Sequence, residues 1–268
     1  MTDEGRTGEG WTDERLAGGL GSGGEVIRRG PVVNRPAPPN APDLHRHLRA
    51  LRRAGFTGAP EPVRLTPDGR EEVTFLPGKV AVPPFPAWSW TTGALRSVGA
   101  LLRAFHEASA TLPAAPDAGW SRELADPEGG PLLCHNDVCR ENVVFRDGRA
   151  AALIDFDLAA PGRPLWDVAM TARYWIPMRP GETSDAPARL RVLADGYGLA
   201  AAERAQLPTV IEQATAVGRA FVAGRVTAGE EGFVRMVADR GGWPYWDRLQ
   251  EWLVTHRTAF TTALTRDT

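Results

Sequence analysis

Residues 134–142 read Cys134-His135-Asn136-Asp137-Val138-Cys139-Arg140-Glu141-Asn142, and Asp155 follows in Leu-Ile-Asp-Phe-Asp. Two carboxylates and an amide oxygen in so short a stretch suit phosphoryl transfer. One carboxylate can orient an acceptor hydroxyl and take its proton, and the other two groups can hold a metal ion. Mg²⁺ is a hard cation that accepts a few protein oxygens and completes its octahedron with water and substrate phosphates. Asn142 and Asp155 are therefore a sufficient protein contribution. Asp137, five residues before Asn142, stays free of the metal and faces the hydroxyl as the base.

The residues between must bring these groups together. Val143-Val144-Phe145 and Ala150-Ala151-Ala152-Leu153-Ile154 are apolar, β-prone runs, and Arg146-Asp147-Gly148-Arg149 between them carries an Asp-Gly turn signal. The two runs are expected to pair as a hairpin, which folds Asn142 back to within a residue or two of register with Asp155.

The order His-x-Asp-x-x-x-x-Asn followed by a later Asp resembles the catalytic and metal-binding loops of protein kinases. His-Asn-Asp and Asp-Phe-Asp, as they stand here, are more similar to the aminoglycoside phosphotransferase family and its small-molecule kinase relatives. The resemblance runs from about Leu16 to the carboxyl end. It implies an α+β, bilobal protein-kinase-like fold, with a small β-rich first lobe, a larger helical second lobe and ATP in the cleft between them. By the same resemblance Asp137 is the catalytic base, Asn142 and Asp155 are Mg²⁺ ligands, and Asp167 braces the catalytic loop. Thr74, Phe75 and Leu76 would form the hinge against adenine, and Val33, Val144 and Ile154 would sandwich its ring. Asp157 either assists at the metal or caps the following turn. ATP is the expected nucleotide, with GTP left open.

The chain departs from this pattern in one respect. Lys79 is its only lysine and lies in a proline-rich stretch, so the usual strand lysine on the α- and β-phosphates is absent. Arg35 is the best replacement, with Arg28 behind it; a guanidinium carries the charge but not an ammonium's compact point contact. The helix expected over residues 42–54 also offers Asp43 but no glutamate to fix that cation.

Length and composition agree with such a molecule. With 268 residues, 43% of them hydrophobic, and a net charge of −2, the chain lacks the basic excess of a nucleic-acid binder. No apolar run suits a membrane span and no secretory leader is visible, so a cytoplasmic enzyme is expected, with Cys134 and Cys139 as thiols. Residues 1–15 read as a flexible tail. Residues 16–77 read as a nucleotide-binding lobe containing the glycine-dense stretch 18–24, which is either a phosphate cradle or a linker. Residues 78–90 form a linker and 91–268 a catalytic and substrate-binding lobe.

Leu95, Val98, Leu101, Leu102 and Phe105 recur at helical spacing, with an end near His106, which is expected to be packed. Further helices are expected over 186–197, 201–226 and 243–264. Eight acids oppose eight arginines between Arg179 and Arg240, which weakens a polycationic acceptor. The sequence thus predicts an ATP- and Mg-dependent O-phosphotransferase of a small hydroxylated molecule, with an antibiotic of aminoglycoside or related type as a plausible acceptor and a peptide antibiotic, amino alcohol, sugar or other metabolite left open. The alternative is a non-catalytic kinase-like binding protein, and transfer to a protein ranks lowest.

Overall fold

The computed structural model describes residues 11–16, 26–112, 118–181 and 185–266. Its amino-terminal part is an antiparallel five-stranded sheet in the order β1-β2-β3-β5-β4. The strands are β1 (Asp13–Leu16), β2 (Val26–Arg29), β3 (Val32–Pro36), β4 (Pro62–Leu65) and β5 (Arg70–Thr74). Helix α1 (Ala41–Arg53) crosses from β3 to β4 and buries Leu44, Leu48 and Leu51, the apolar stripe expected from their spacing.

Contrary to the expectation of a flexible tail over residues 1–15, residues 13–15 belong to β1. Nothing apolar alternates in Asp-Glu-Arg-Leu, so the strand has no sequence signature. Across the pair, Asp13 meets Arg29 at 2.7 Å and Glu14 meets Arg28 at 3.1 Å. Cross-strand charge pairs of this kind favour pairing that hydrophobic patterning does not predict. The glycine-dense stretch 18–24 lies outside the described residues.

The remainder is mostly helical, as expected for the α+β class. Helix α2 (Thr92–Ala110) buries Leu95, Val98, Leu102 and Phe105 completely and runs a turn past His106. It crosses α4 (Ala186–Tyr197) backbone to backbone. A Cβ on Gly99 would lie 2.6 Å from the Leu193 carbonyl, and one on Gly196 would lie 2.3 Å from that of Arg96. Glycine at both positions permits the approach. Helices α3 (Pro164–Trp175), α5 (Ala201–Thr227), α6 (Glu231–Asp239) and α7 (Pro244–Thr265) complete this part. The short helix α6, bounded by Gly229 and Gly241, was not anticipated.

Strands β6 (Leu132–Cys134) and β9 (Ala160–Gly162) pair antiparallel, and β7 (Val143–Arg146) and β8 (Arg149–Leu153) form the expected hairpin. Asp147 and Gly148 have φ of 50° and 76°. Both central residues of a type I′ turn require positive φ, so Asp-Gly is suited to the place. No helix is long and apolar enough to cross a membrane among the described residues.

His47 of α1 is 7% exposed, meets the Trp120 ring edge-on at 6.0 Å, and burial pushes its pKa down to about 4. Its folded pKa lies below the unfolded value near 6.5, so the unfolded chain takes up the proton first. The stability it contributes is complete above pH 6.5 and is lost as pH falls toward 4. We expect a loss of about 2 kcal/mol by pH 5. A His47→Leu variant should show a smaller drop in thermal midpoint between pH 7 and pH 5; equal drops would contradict this assignment.

Candidate active site

The β7–β8 hairpin is held on both edges. Lys79 exchanges backbone hydrogen bonds of 2.9 and 2.8 Å with Phe145, and the Leu153 N–H donates to Gly58 O at 2.8 Å. Register pairs Val143 with Leu153, and the Ile154 N–H donates to Asn142 O at 2.9 Å, so Asp155 emerges beside Asn142. The Asn142 amide donates 2.9 Å hydrogen bonds to the Asp137 carbonyl and to its Oδ2. This spends the Nδ2 group on Asp137 and leaves Oδ1 without a protein hydrogen bond among the described residues.

The loop leading to Asp137 is fixed from below. Asp167 of α3 is fully buried and accepts the N–H groups of His135 at 2.7 Å and Asn136 at 2.9 Å. His106 approaches the same carboxylate at 3.0 Å and the Tyr197 hydroxyl at 2.7 Å. Burial opposes the charge of Asp167, yet His106 and the backbone donors hold its pKa below the usual carboxylate range. Asn136 and Asp155 both adopt left-handed backbone, with φ of 65° and 64°. Asn and Asp tolerate that region better than other non-glycine residues, and such conformations cluster where a loop must aim a side chain. His135 faces the Ile154 carbonyl through Nε2 at 3.0 Å and accepts the Asp137 N–H at 3.3 Å, binding the loop to the end of β8.

Burial raises the pKa of Asp137, a Tyr174 hydroxyl hydrogen bond opposes this, and the charge of Asp155 adds to the rise. A desolvated carboxylate held by one amide and one hydroxyl can orient an acceptor O–H and accept its proton. Tyr174 gave no signal in the sequence, since one more aromatic residue on α3 reads as packing. Cys134 and Cys139 are free, and burial pushes both thiols well up, so they stay protonated.

Arg35 lies across the same crevice. Its Nε donates to Glu71 at 2.7 Å, Nη1 to Asp155 at 2.9 Å and Nη2 to Asp157 at 2.5 Å. The second oxygen of Glu71 meets His45 Nε2 of α1 at 2.7 Å. The acid that fixes Arg35 is not on helix α1, where a glutamate is lacking, but is Glu71 on β5, opposite Arg35. No spacing rule marks it, because the β3–β5 strand order alone sets it opposite Arg35. Asp157 contacts Arg35 rather than only capping a turn.

Formal charges of one guanidinium and three carboxylates leave two negative charges over. Burial, with Asp155 beside it, accordingly raises the pKa of Asp157. Hard oxygen donors crowded around one guanidinium fit a divalent cation such as Mg²⁺.

Thr74, Phe75 and Leu76, expected as the hinge, lie at and just beyond the end of β5. The N–H groups of Thr74 and Phe75 are committed to the Glu61 and Pro31 carbonyls at 2.9 and 2.7 Å, leaving the Leu76 N–H as the donor of the three. Val33 shares a sheet face with Arg35, two residues along β3. Val144 is buried and Ile154 half-buried. The linker touches Val144 directly, since a Cβ on Gly78 would lie 2.4 Å from its Cγ1. A groove of about 530 Å³ opens beside Arg35 and Asp157, walled by Asn40, Trp120 and Arg225; Asp137 is not among its walls.

Asp167→Ala would leave two buried N–H groups and His106 without their acceptor. The expected loss of stability is about 3 kcal/mol or more, read from the denaturant midpoint. A loss below about 1 kcal/mol, the size of an ordinary surface change, would contradict the brace.

The family model described as "Phosphotransferase enzyme family" matches residues 119–207, the segment that holds Asp137, Asn142, Asp155 and Asp167. The chain is 31% identical over 196 residues to the trifolitoxin immunity protein of Rhizobium leguminosarum bv. trifolii, covering 67% of this chain and 72% of that protein. Among solved structures it is similar to a choline/ethanolamine kinase family protein from Mesorhizobium loti, with a TM-score of 0.65, 16% identity, and coverage of 96% and 94% of the two chains. A spectinomycin phosphotransferase in complex with ADP and spectinomycin gives a TM-score of 0.56 at 13% identity, over 91% of this chain and 93% of that one. These two likenesses carry the fold, which is protein-kinase-like. With the identity to the immunity protein and the family match over residues 119–207, the chain belongs to the phosphotransferase enzyme family.

Proposed function

We propose that this protein is an ATP- and Mg-dependent O-phosphotransferase whose acceptor is a small hydroxylated molecule of antibiotic type. The observation that carries the reading is the gathering of Asp137, Asn142 and Asp155 in one crevice, with the Asn142 amide on Asp137 at 2.9 Å and Arg35 on Asp155 at 2.9 Å.

In this reading Asp137 receives the acceptor hydroxyl and its proton, held in line by Asn142 and Tyr174. Asn142 Oδ1 and Asp155 would hold Mg²⁺, which when bound would neutralise phosphate charge. Arg35 contacts the nucleotide phosphates in place of the missing lysine. Leu76 and the neighbouring carbonyls meet adenine, and Val33, Val144 and Ile154 enclose its ring. The sheet and α1 then form the nucleotide lobe, residues 78–90 the linker, and the rest the catalytic and acceptor lobe. Catalysis is mostly positioning and charge neutralisation.

The alternative of a non-catalytic binder drew on the absent lysine and helix glutamate. The pairing of Arg35 with Glu71 at 2.7 Å supports the enzyme over that reading. The names of the relatives, an immunity protein and an antibiotic phosphotransferase, support an antibiotic-like acceptor. A field of free carboxylates for a polycation is not favoured. Asp195 is paired with Arg204, Glu212 with Arg257 and Glu230 with Arg225.

A screen of hydroxylated compounds for ADP release should find an acceptor whose phosphorylation stops when EDTA removes the metal. Asp137→Asn should keep Mg-ATP binding and lower turnover by about 100-fold or more, the usual size of a general-base contribution. Undiminished turnover in that variant would remove Asp137 from the mechanism.

A further inference from the structure

We propose that Glu71 and His45 are positioning residues for Arg35, coupling helix α1 to the grip on nucleotide phosphate; the proposal rests on the phosphotransferase reading above. The β3–β5 register sets Arg35 directly opposite Glu71. Glu71 is 1% exposed and divides its carboxylate, Oε1 to Arg35 Nε and Oε2 to His45 Nε2, each at 2.7 Å. His45 is equally enclosed, one residue from Leu44 in the buried stripe of α1. A displacement of α1 therefore pulls on the carboxylate that holds the guanidinium.

The division of contacts on Arg35 gives the arrangement its use. Glu71 takes Nε, close to the stem, while the outer Nη edge points at Asp155 and Asp157. With the inner nitrogen pinned, the outer edge can exchange a carboxylate for a phosphate oxygen without the long side chain losing its place. An arginine has many rotamers, and a planar fork binds well only when its orientation is fixed in advance. Histidine at position 45 cannot supply a permanent negative charge. The strand supplies it through Glu71, and the helix controls where that charge sits.

Calorimetry of the full chain with Mg-ATP and with adenosine tests the proposal, because adenosine has no phosphate for Arg35 to hold. Glu71→Gln should weaken Mg-ATP by about tenfold or more, the worth of a charge-assisted contact, and change adenosine affinity by less than about twofold. His45→Leu should shift Mg-ATP in the same direction, and His45→Gln, which keeps an N–H donor for Oε2, should restore most of the affinity. Wild-type Mg-ATP affinity in Glu71→Gln, or an equal loss for adenosine, overturns the positioning role. A wild-type protein that binds no Mg-ATP overturns the phosphotransferase reading instead. Should Glu71→Gln fail to fold, His45→Leu decides by the same two ligands, since it leaves the Arg35–Glu71 pair in place.

Discussion

The half-buried guanidinium of Arg35 is paired on every side, and that pairing ties the sheet to the crevice below it. One side chain from β3 reaches Glu71 in its own sheet and Asp155 and Asp157 beyond the hairpin. Burial works against its charge, yet Asp157, Asp155 and Glu71 together raise its pKa, so the cation is never in question. The three acids are less comfortable. They are drawn together by a single positive charge, and the surplus makes the crevice attractive to a divalent cation. The same contacts that give the sheet its place over the hairpin thus create the electrostatic demand of the site.

Rigidity below that cluster comes from a second buried carboxylate. Asp167 spends both oxygens on the loop and on His106, and His106 extends the chain of contacts to Tyr197 on α4. The loop between these anchors has left-handed backbone at Asn136, which only a surrounding set of fixed partners can maintain. Arg140, on the same loop, is buried without a carboxylate partner among the described residues. It lies over the rings of Trp90 at 3.9 Å and Trp175 at 4.5 Å and donates to the Ser89 carbonyl at 2.9 Å. Stacking and carbonyls replace a counter-ion there. Asp137 is consequently held by a loop braced on one side by charge and on the other by aromatic faces, the preorganisation that phosphoryl transfer requires.

The tryptophans of the linker serve this architecture. Trp88 packs on Phe145 of β7 at 5.0 Å between ring centroids, and Trp90 covers Arg140. Trp246 is buried in a separate cluster with Val222, Phe233 and Val237. Their contacts are those of packing, and they leave the groove beside Arg35 to Trp120.

Local sequence was enough for whatever depends on neighbours in the chain. The Asp147-Gly148 turn, the pairing of the apolar runs around it, the stripe of α1 and the buried face of α2 all follow from φ preference and periodicity. So does the return of Asn142 to within a residue or two of Asp155, whereas the register shift between Val144 and Phe145 that brings them one residue closer carries no local signal. Strand β1 escaped because its partner selects it by charge rather than by pattern, and α6 because nine residues between glycines carry little periodic signal. Glu71 and His45 escaped for a deeper reason. Their relation to Arg35 depends on the order in which strands are laid beside one another and on how a helix rests against them. Residues 35, 45 and 71 carry no spacing rule. Only the tertiary fold, by setting β5 against β3 and turning α1 toward both, decided that a strand acid and a helix histidine would share one arginine.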